Sequence, residues 1–237
     1  MNYLLNYAHN GHYQSQRQQT ISGLTTGGFD RVYSLGFNDL ETEFREKHQK
    51  ILQERRGAGY WIWKPYLILR TLKKLNDCDY LFYCDSAAYF IRDIEPFVRL
   101  LEHEQVDMLL CEHEDDERYR NGYWTKRDTF LGMGCDEEVY HSRCQILSGY
   151  VFLRKTDRTL QIIGEWLEWC FHYSLLNDEE NQYGLPNLDG FIDHRHDQSI
   201  LTNLAILHKV FTVKGIAQYR SPVDTIPQIV HNTHSRG

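Results

Sequence analysis

An apolar run in this chain ends abruptly on an acid. In "LFYCDSAAYF", residues 81–90, Asp85 follows Leu81, Phe82, Tyr83 and Cys84, and the small residues Ser86, Ala87 and Ala88 come next. Open α/β sheets bind ligands beyond the carboxyl ends of their strands, so an acid there is placed to hold a metal or a ribose. The small residues would let a bulky ligand approach the backbone. The same acid also suits an ordinary turn. In "DHRHDQSILTNL", Asp197 shares the spacing i, i+3, i+4, i+7 with Ile200, Leu201 and Leu204, which puts a carboxylate on an inward helix face. A carboxylate there needs a partner. Either it satisfies the helix's own N–H groups, or it is aimed into a site with His194, Arg195, His196 and Gln198 around it. His194 and His196, two apart, cannot share one helix face, which argues against a dihistidine metal site.

Three further stretches carry candidate groups. "IVHNTH" holds His231 and His234, and imidazole is a common transition-metal ligand. One of them would complete a metal site begun at Asp85, or both belong to a polar tail. In "GYWIWKPY", Trp61 and Trp63 alternate with Ile62 and Lys64, placing Lys64 across an aromatic wall. It either meets a phosphate as a point charge or snorkels to solvent. "WTKRD" supplies the basic pair Lys126 and Arg127 after an acidic loop, which reads as a surface ion-pair patch.

The elements that must position these groups alternate between short apolar runs and longer helical patterns, the signature of an α/β domain. Strands are predicted at "NYLLNYA", "RVYSLGF", "DYLFYCD", "VDMLLCE", "QILSGYVFLRK", "KVFTV" and "QIV". The first runs into a polar loop. Asn38 and Glu41 are placed as a capping box before a helix with Phe44, His48, Ile51 and Leu52 on one face. Gly57 and Gly59 break it, and Pro65 suits the first turn of the next. Helices are also predicted over "DIEPFVRLLEHE", with Asp93 as N-cap, "DRTLQIIGEWLEWCF" and "DQSILTNLAILH". The expectation is one domain over residues 1–237, with 177–190 as the place for any insertion.

Composition narrows the function. A hydrophobic content of 41% supports a sizeable core, and a net charge of −7 argues against nucleic acid as the main partner. The six cysteines, 78, 84, 111, 135, 144 and 170, form no CxxC pair and read as reduced thiols of a cytoplasmic protein. No basic n-region opens the chain, and no apolar run reaches the roughly 18 residues of a membrane span. A peripheral membrane contact stays open.

The strings "GYWIWKPYLIL", "YLFYCDSAAYF", "WTKRD", "ILSGYVFLRK" and "DHRHDQSIL", in this order, resemble bacterial and viral glycosyltransferases of the GT-A fold, distantly similar to the glycogenin-like group. The resemblance implies a mostly parallel central sheet flanked by helices, a nucleotide-sugar donor (a UDP-sugar favoured), a glycan or lipid-linked glycan acceptor, and Mn2+ or Mg2+ bridging the donor diphosphate. By the same resemblance Tyr7 and Ala8 cradle the base, Lys64 and Lys126 approach the donor, Asp85 stands for the first acid of a DxD motif, and Ser86, Ala87 and Gly149 leave it room. Asp197, with His196 and Gln198, sits beside the transferred sugar. The sequence departs at the third DxD position, where Ala87 cannot ligate: either His231 or His234 is the second ligand, or metal binding is weak or absent. Two rival readings remain. A nucleotidyltransferase would need a Gly-rich basic loop that "NGHYQSQRQQ" lacks. A catalytically silent binding module is favoured by the missing acid and disfavoured by Lys64 and Asp197.

Overall fold

The computed structural model describes residues 1–113, 116–214 and 227–232 of the chain. Its elements run β1 (Asn2–Ala8), α1 (Tyr13–Thr25), β2 (Arg31–Gly36), α2 (Thr42–Lys47), α3 (Gln49–Leu52), a one-turn α4 (Gly57–Tyr60), α5 (Trp63–Leu72), β3 (Tyr80–Cys84), β4 (Ala88–Phe90), α6 (Glu95–His103) and β5 (Met108–Glu112). There follow α7 (Asn121–Trp124), α8 (Arg127–Gly132), α9 (Glu138–His141), β6 (Ile146–Arg154), α10 (Asp157–Cys170), α11 (Tyr173–Leu176), α12 (Asp197–Leu207), β7 (Phe211–Lys214) and β8 (Val230–Asn232).

Six strands form one sheet in the order β2-β1-β3-β6-β5-β7. All pairings are parallel except those of β6, which runs against both β3 and β5. This is the α/β domain that the sequence pattern predicts, with the mostly parallel sheet flanked by helices that the resemblance implies. Strands covered on both faces read as continuous apolar runs, and β3 shows why. Leu81 and Tyr83 face a core shared with α5, α10 and α12, while Phe82 and Cys84 face a second core with Phe97 of α6. A small second sheet pairs β4 with β8, antiparallel, Ala88 opposite Asn232.

Two local expectations change. The stretch after β1 is a 13-residue helix, not a loop. It hides its polar side: Gln16, Gln19 and Gly23 are buried while Tyr13, Ile21 and Leu24 lie exposed. The inward glutamines donate their amide hydrogens to backbone carbonyls, Gln16 Nε2 to Leu35 O at 2.8 Å and Gln19 Nε2 to Asp85 O at 2.8 Å. The capping box at Asn38 and Glu41 does not form. The helix begins at Thr42, and Asp39 instead accepts the Gly36 N–H at 2.7 Å. The N-cap of α6 is Ile94 rather than Asp93, although Asp93, one residue earlier, accepts the Glu95 N–H at 2.7 Å.

Candidate active site

The carboxyl ends of β1 and β3 open into a cavity of about 860 Å³. Tyr7, Asp85, Ser86, Ala87, Gly149 and Gln198 line one part of it, and residues 52–55, 57, 58, 61 and 63 line another. Tyr7 stacks on Trp63 with centroids 3.8 Å apart, so the end of β1 meets the start of α5 through two rings. Burial pushes the Tyr7 phenol well above its ordinary pKa.

Asp85 is held from several sides. Its N–H donates to Gly149 O at 2.9 Å, which continues the β3–β6 ladder by one residue. Its carbonyl accepts from Gln19. Its Oδ1 accepts from the Tyr83 hydroxyl at 2.5 Å. The side chain is 42% exposed. A Cβ on Gly149 would fall 2.7 Å from Oδ2, so the absence of a side chain there is what lets the carboxylate take this position.

Lys64 lies behind Asp85. The side chain is 2% exposed, and its Nζ sits 3.1 Å from Ser148 Oγ, 3.2 Å from Asp197 Oδ2 and 3.6 Å from Asp85 Oδ1. Burial alone would lower its pKa. The Asp197 and Asp85 carboxylates outweigh burial and raise it, so the ammonium is charged. It neither meets the cavity nor snorkels outward: it is enclosed between two acids. Asp197 is 3% exposed and lies behind the lining too. Burial raises its pKa to about 6, with Lys64 opposing and Asp85 adding to the rise. One ammonium thus serves two carboxylates, and the triad carries a net charge of −1.

Sequence places the remaining candidates less well. Gln198 lines the cavity; its Oε1 accepts the Ser148 N–H at 3.4 Å and its Nε2 donates to Gln145 Oε1 at 2.6 Å. His196 does not line it. Its ring stacks on Tyr60, its Nδ1 donates to Leu176 O at 2.6 Å, and burial lowers its pKa to about 4. Ala8 is buried in β1 outside the lining. Lys126 is buried away from the cavity, donating to Asn177 Oδ1 at 2.8 Å and Ser174 O at 3.2 Å. The "WTKRD" patch is therefore interior at Lys126 rather than a surface pair. His231 is exposed and tilts against Tyr89, while its neighbour Asn232, on the opposite side of the pleat, lines the cavity. His234 lies outside the described residues. Among the described residues no three His, Cys, Asp or Glu side chains gather as a metal cluster. Among the described residues of this candidate set, Asp85 is the one open to a divalent ion, its Oδ2 accepting no hydrogen bond. Phosphate oxygens and water would supply the rest, a mode magnesium commonly uses.

Several participants carry no sequence motif. Tyr83 reads as one more aromatic in a core strand, although its place two residues before Asp85 puts it on the same strand face. Gln19 sits on the helix whose pattern hides it. Arg55 lines the cavity and has no carboxylate partner among the described residues.

No family model matches the chain, and no curated protein matches it. Several solved structures are similar to it. The galactosyltransferase LgtC, in complex with donor and acceptor sugar analogs, is 16% identical, with a TM-score of 0.49 over 100% of this chain and 88% of that one. Mouse xyloside xylosyltransferase 1, in its apo form, is 13% identical, with a TM-score of 0.48 over 94% and 89%. Core-mannan synthase A from Aspergillus fumigatus, in a Mn/GDP form, is 8% identical, with a TM-score of 0.45 over 90% and 72%.

Proposed function

We propose that this chain is a glycosyltransferase that moves a sugar from a nucleotide-diphosphate sugar to a hydroxyl of a glycan acceptor. One observation carries the reading. Lys64, Asp85, Gly149 and Asp197, the first and last 133 residues apart and each inside a string that carries the sequence resemblance, meet at the carboxyl end of β3 beside the cavity.

The charges say what such a site does. Sugar transfer develops positive charge at the anomeric carbon and negative charge on the departing diphosphate. A triad of net charge −1 favours the first. It opposes the second: two like unit charges about 4 Å apart repel by about 4 kcal/mol at an effective dielectric of about 20. A cation must therefore arrive with the diphosphate. Asp85, the exposed member of the triad, would hold a divalent metal there, and that metal would supply Lewis-acid stabilisation of the leaving oxygens. Arg55 adds a guanidinium on the cavity wall. Lys64 is not available for the phosphate. It fixes Asp85 and Asp197 in register, and Tyr83 and Gln19 fix Asp85 from below. Asp197 acts through Lys64, whereas Gln198, next to it, reaches the cavity and can hydrogen-bond the sugar.

Isothermal calorimetry of UDP and other nucleoside diphosphates, with and without Mn2+, tests this, paired with hydrolysis of the matching nucleotide-sugar. The expected result is metal-dependent binding that Asp85→Asn weakens at least about tenfold. Equal affinity in Asp85→Asn would sink the assignment. Binding without turnover would select the silent module, which the enclosure of Asp197 favours.

A further inference from the structure

Beside Arg55, the cavity wall between α3 and α5 carries a second kind of chemistry. Five successive residues, Gly57 to Trp61, have positive φ, winding one left-handed turn. L-residues resist that conformation by roughly 1–2 kcal/mol each, so surrounding contacts must impose it. Trp63 Nε1 donates to Gly57 O at 2.9 Å, and Arg56 pairs with Asp178 and Asp193 across the chain. The turn lays the Trp61 indole flat on Gly57: a Cβ there would fall 2.3 Å from the ring. The result is a half-buried aromatic plate facing the cavity.

Glu54 and Gln53 line the cavity beside this plate. The Glu54 carboxylate is fixed by two phenols, Tyr173 donating to Oε1 at 2.8 Å and Tyr60 to Oε2 at 3.4 Å. Each oxygen keeps capacity for a further donor. A pinned carboxylate, a carboxamide and an exposed indole face are together complementary to a sugar ring. Its hydroxyls donate to the carboxylate, and its C–H face packs on the indole. The net negative triad and Glu54 both disfavour an acidic sugar.

We propose that Gln53, Glu54 and Trp61 form the acceptor subsite, and that it takes an uncharged pyranose of a glycan, ring face on Trp61 and hydroxyls on Glu54. The inference rests on the transfer reaction proposed above for the identity of this ligand as acceptor. Glu54 is a positioning residue for the sugar.

The test is saturation-transfer NMR with methyl glycosides of glucose, galactose, mannose and N-acetylglucosamine, alongside calorimetry of UDP with Mn2+, on wild type, Glu54→Gln, Trp61→Ala and Trp61→Phe. The expected result is that at least one neutral glycoside binds wild type. Glu54→Gln and Trp61→Ala should lose about tenfold or more of that affinity, Trp61→Phe should retain most of it, and UDP affinity should stay within about twofold in all. Because Trp61→Phe preserves a plate and Glu54→Gln preserves shape, these two decide the matter if Trp61→Ala fails to fold. Glycoside binding that survives Glu54→Gln, an equal loss of UDP affinity, or no glycoside binding even with UDP and Mn2+ present would overturn the subsite. Glycoside binding lost in Glu54→Gln with no nucleotide bound by wild type would keep the subsite and overturn the transferase reading.

Discussion

Replacing Asp197 by asparagine removes one charge from the buried triad and leaves its shape. In the wild type the carboxylate stands at about 6 against an ordinary 3.8. The folded protein therefore holds a proton that the unfolded chain has already lost between about pH 4 and about pH 6. Stability falls as pH rises through that window and does not recover above it, by about 3 kcal/mol in all. About half of that fall lies between about pH 5 and about pH 8. Asparagine has no proton to lose, and Lys64 keeps Asp85 at 3.6 Å and Ser148 at 3.1 Å as partners. The stability of Asp197→Asn relative to wild type should thus rise with pH, whatever constant offset the amide introduces by packing. Urea unfolding of both proteins at several values across that range measures the slope. Activity should fall even where stability gains, since the triad loses its net negative charge. A difference that is flat or falls with pH would refute the reasoning, because it would mean that the ionised carboxylate is not held at a cost by its burial.

Three further outcomes are expected. Lys64→Met leaves two carboxylates without their shared ammonium and should destabilise by about 3–5 kcal/mol, read by urea unfolding; a loss under about 1 kcal/mol would show that Lys64 is not the internal counter-ion. Gly149→Ala places a methyl 2.7 Å from Asp85 Oδ2 and should displace that carboxylate, costing about 1–3 kcal/mol of stability together with metal-dependent nucleotide binding by calorimetry; unaltered binding would free Asp85 of that role. The rate of transfer should drop toward acid below about pH 6 as Asp197 takes up its proton, and a pH–rate profile with no such limb in wild type would count against it.

Much of the fold was legible because its central strands β1, β3, β5 and β6 are buried on both faces, and burial on both faces writes itself as an apolar run. Asp85 and Asp197 stood out for the same reason: each is an acid where its neighbours, Cys84 on one side and Ile200 and Leu201 on the other, are apolar. Helix α1 was illegible because its inward face is made of Gln16, Gln19 and Gly23, so periodicity of hydrophobic residues points the wrong way. The capping box at Asn38 does not form because Asn38 lies inside a separate short turn over 37–39 and the helix starts only at Thr42. The polar neighbours of Lys126 signal a surface position, yet Asn177 and Ser174 draw it inside. The left-handed turn left only its two glycines as a trace, since Ala58, Tyr60 and Trp61 adopt a conformation that no local preference signals.

The most instructive difference concerns Lys64. A lysine directly after two tryptophans, near a proposed phosphate site, reads as a ligand contact, because sequence shows the charge and not what faces it. The fold brings Asp85 and Asp197 to its Nζ from 21 and 133 residues away. This reverses the logic of the site. A cavity-facing lysine would supply the positive charge that a diphosphate needs, whereas an enclosed one consumes it and leaves a surplus negative charge at Asp85. The two arrangements separate in one comparison. A ligand-facing Lys64 would make Lys64→Met a binding defect in a stable protein, with metal a convenience. The enclosed Lys64 makes the same substitution a stability defect first. It also makes nucleotide affinity depend on added divalent cation even in the intact protein, because the bare diphosphate meets Asp85 uncompensated.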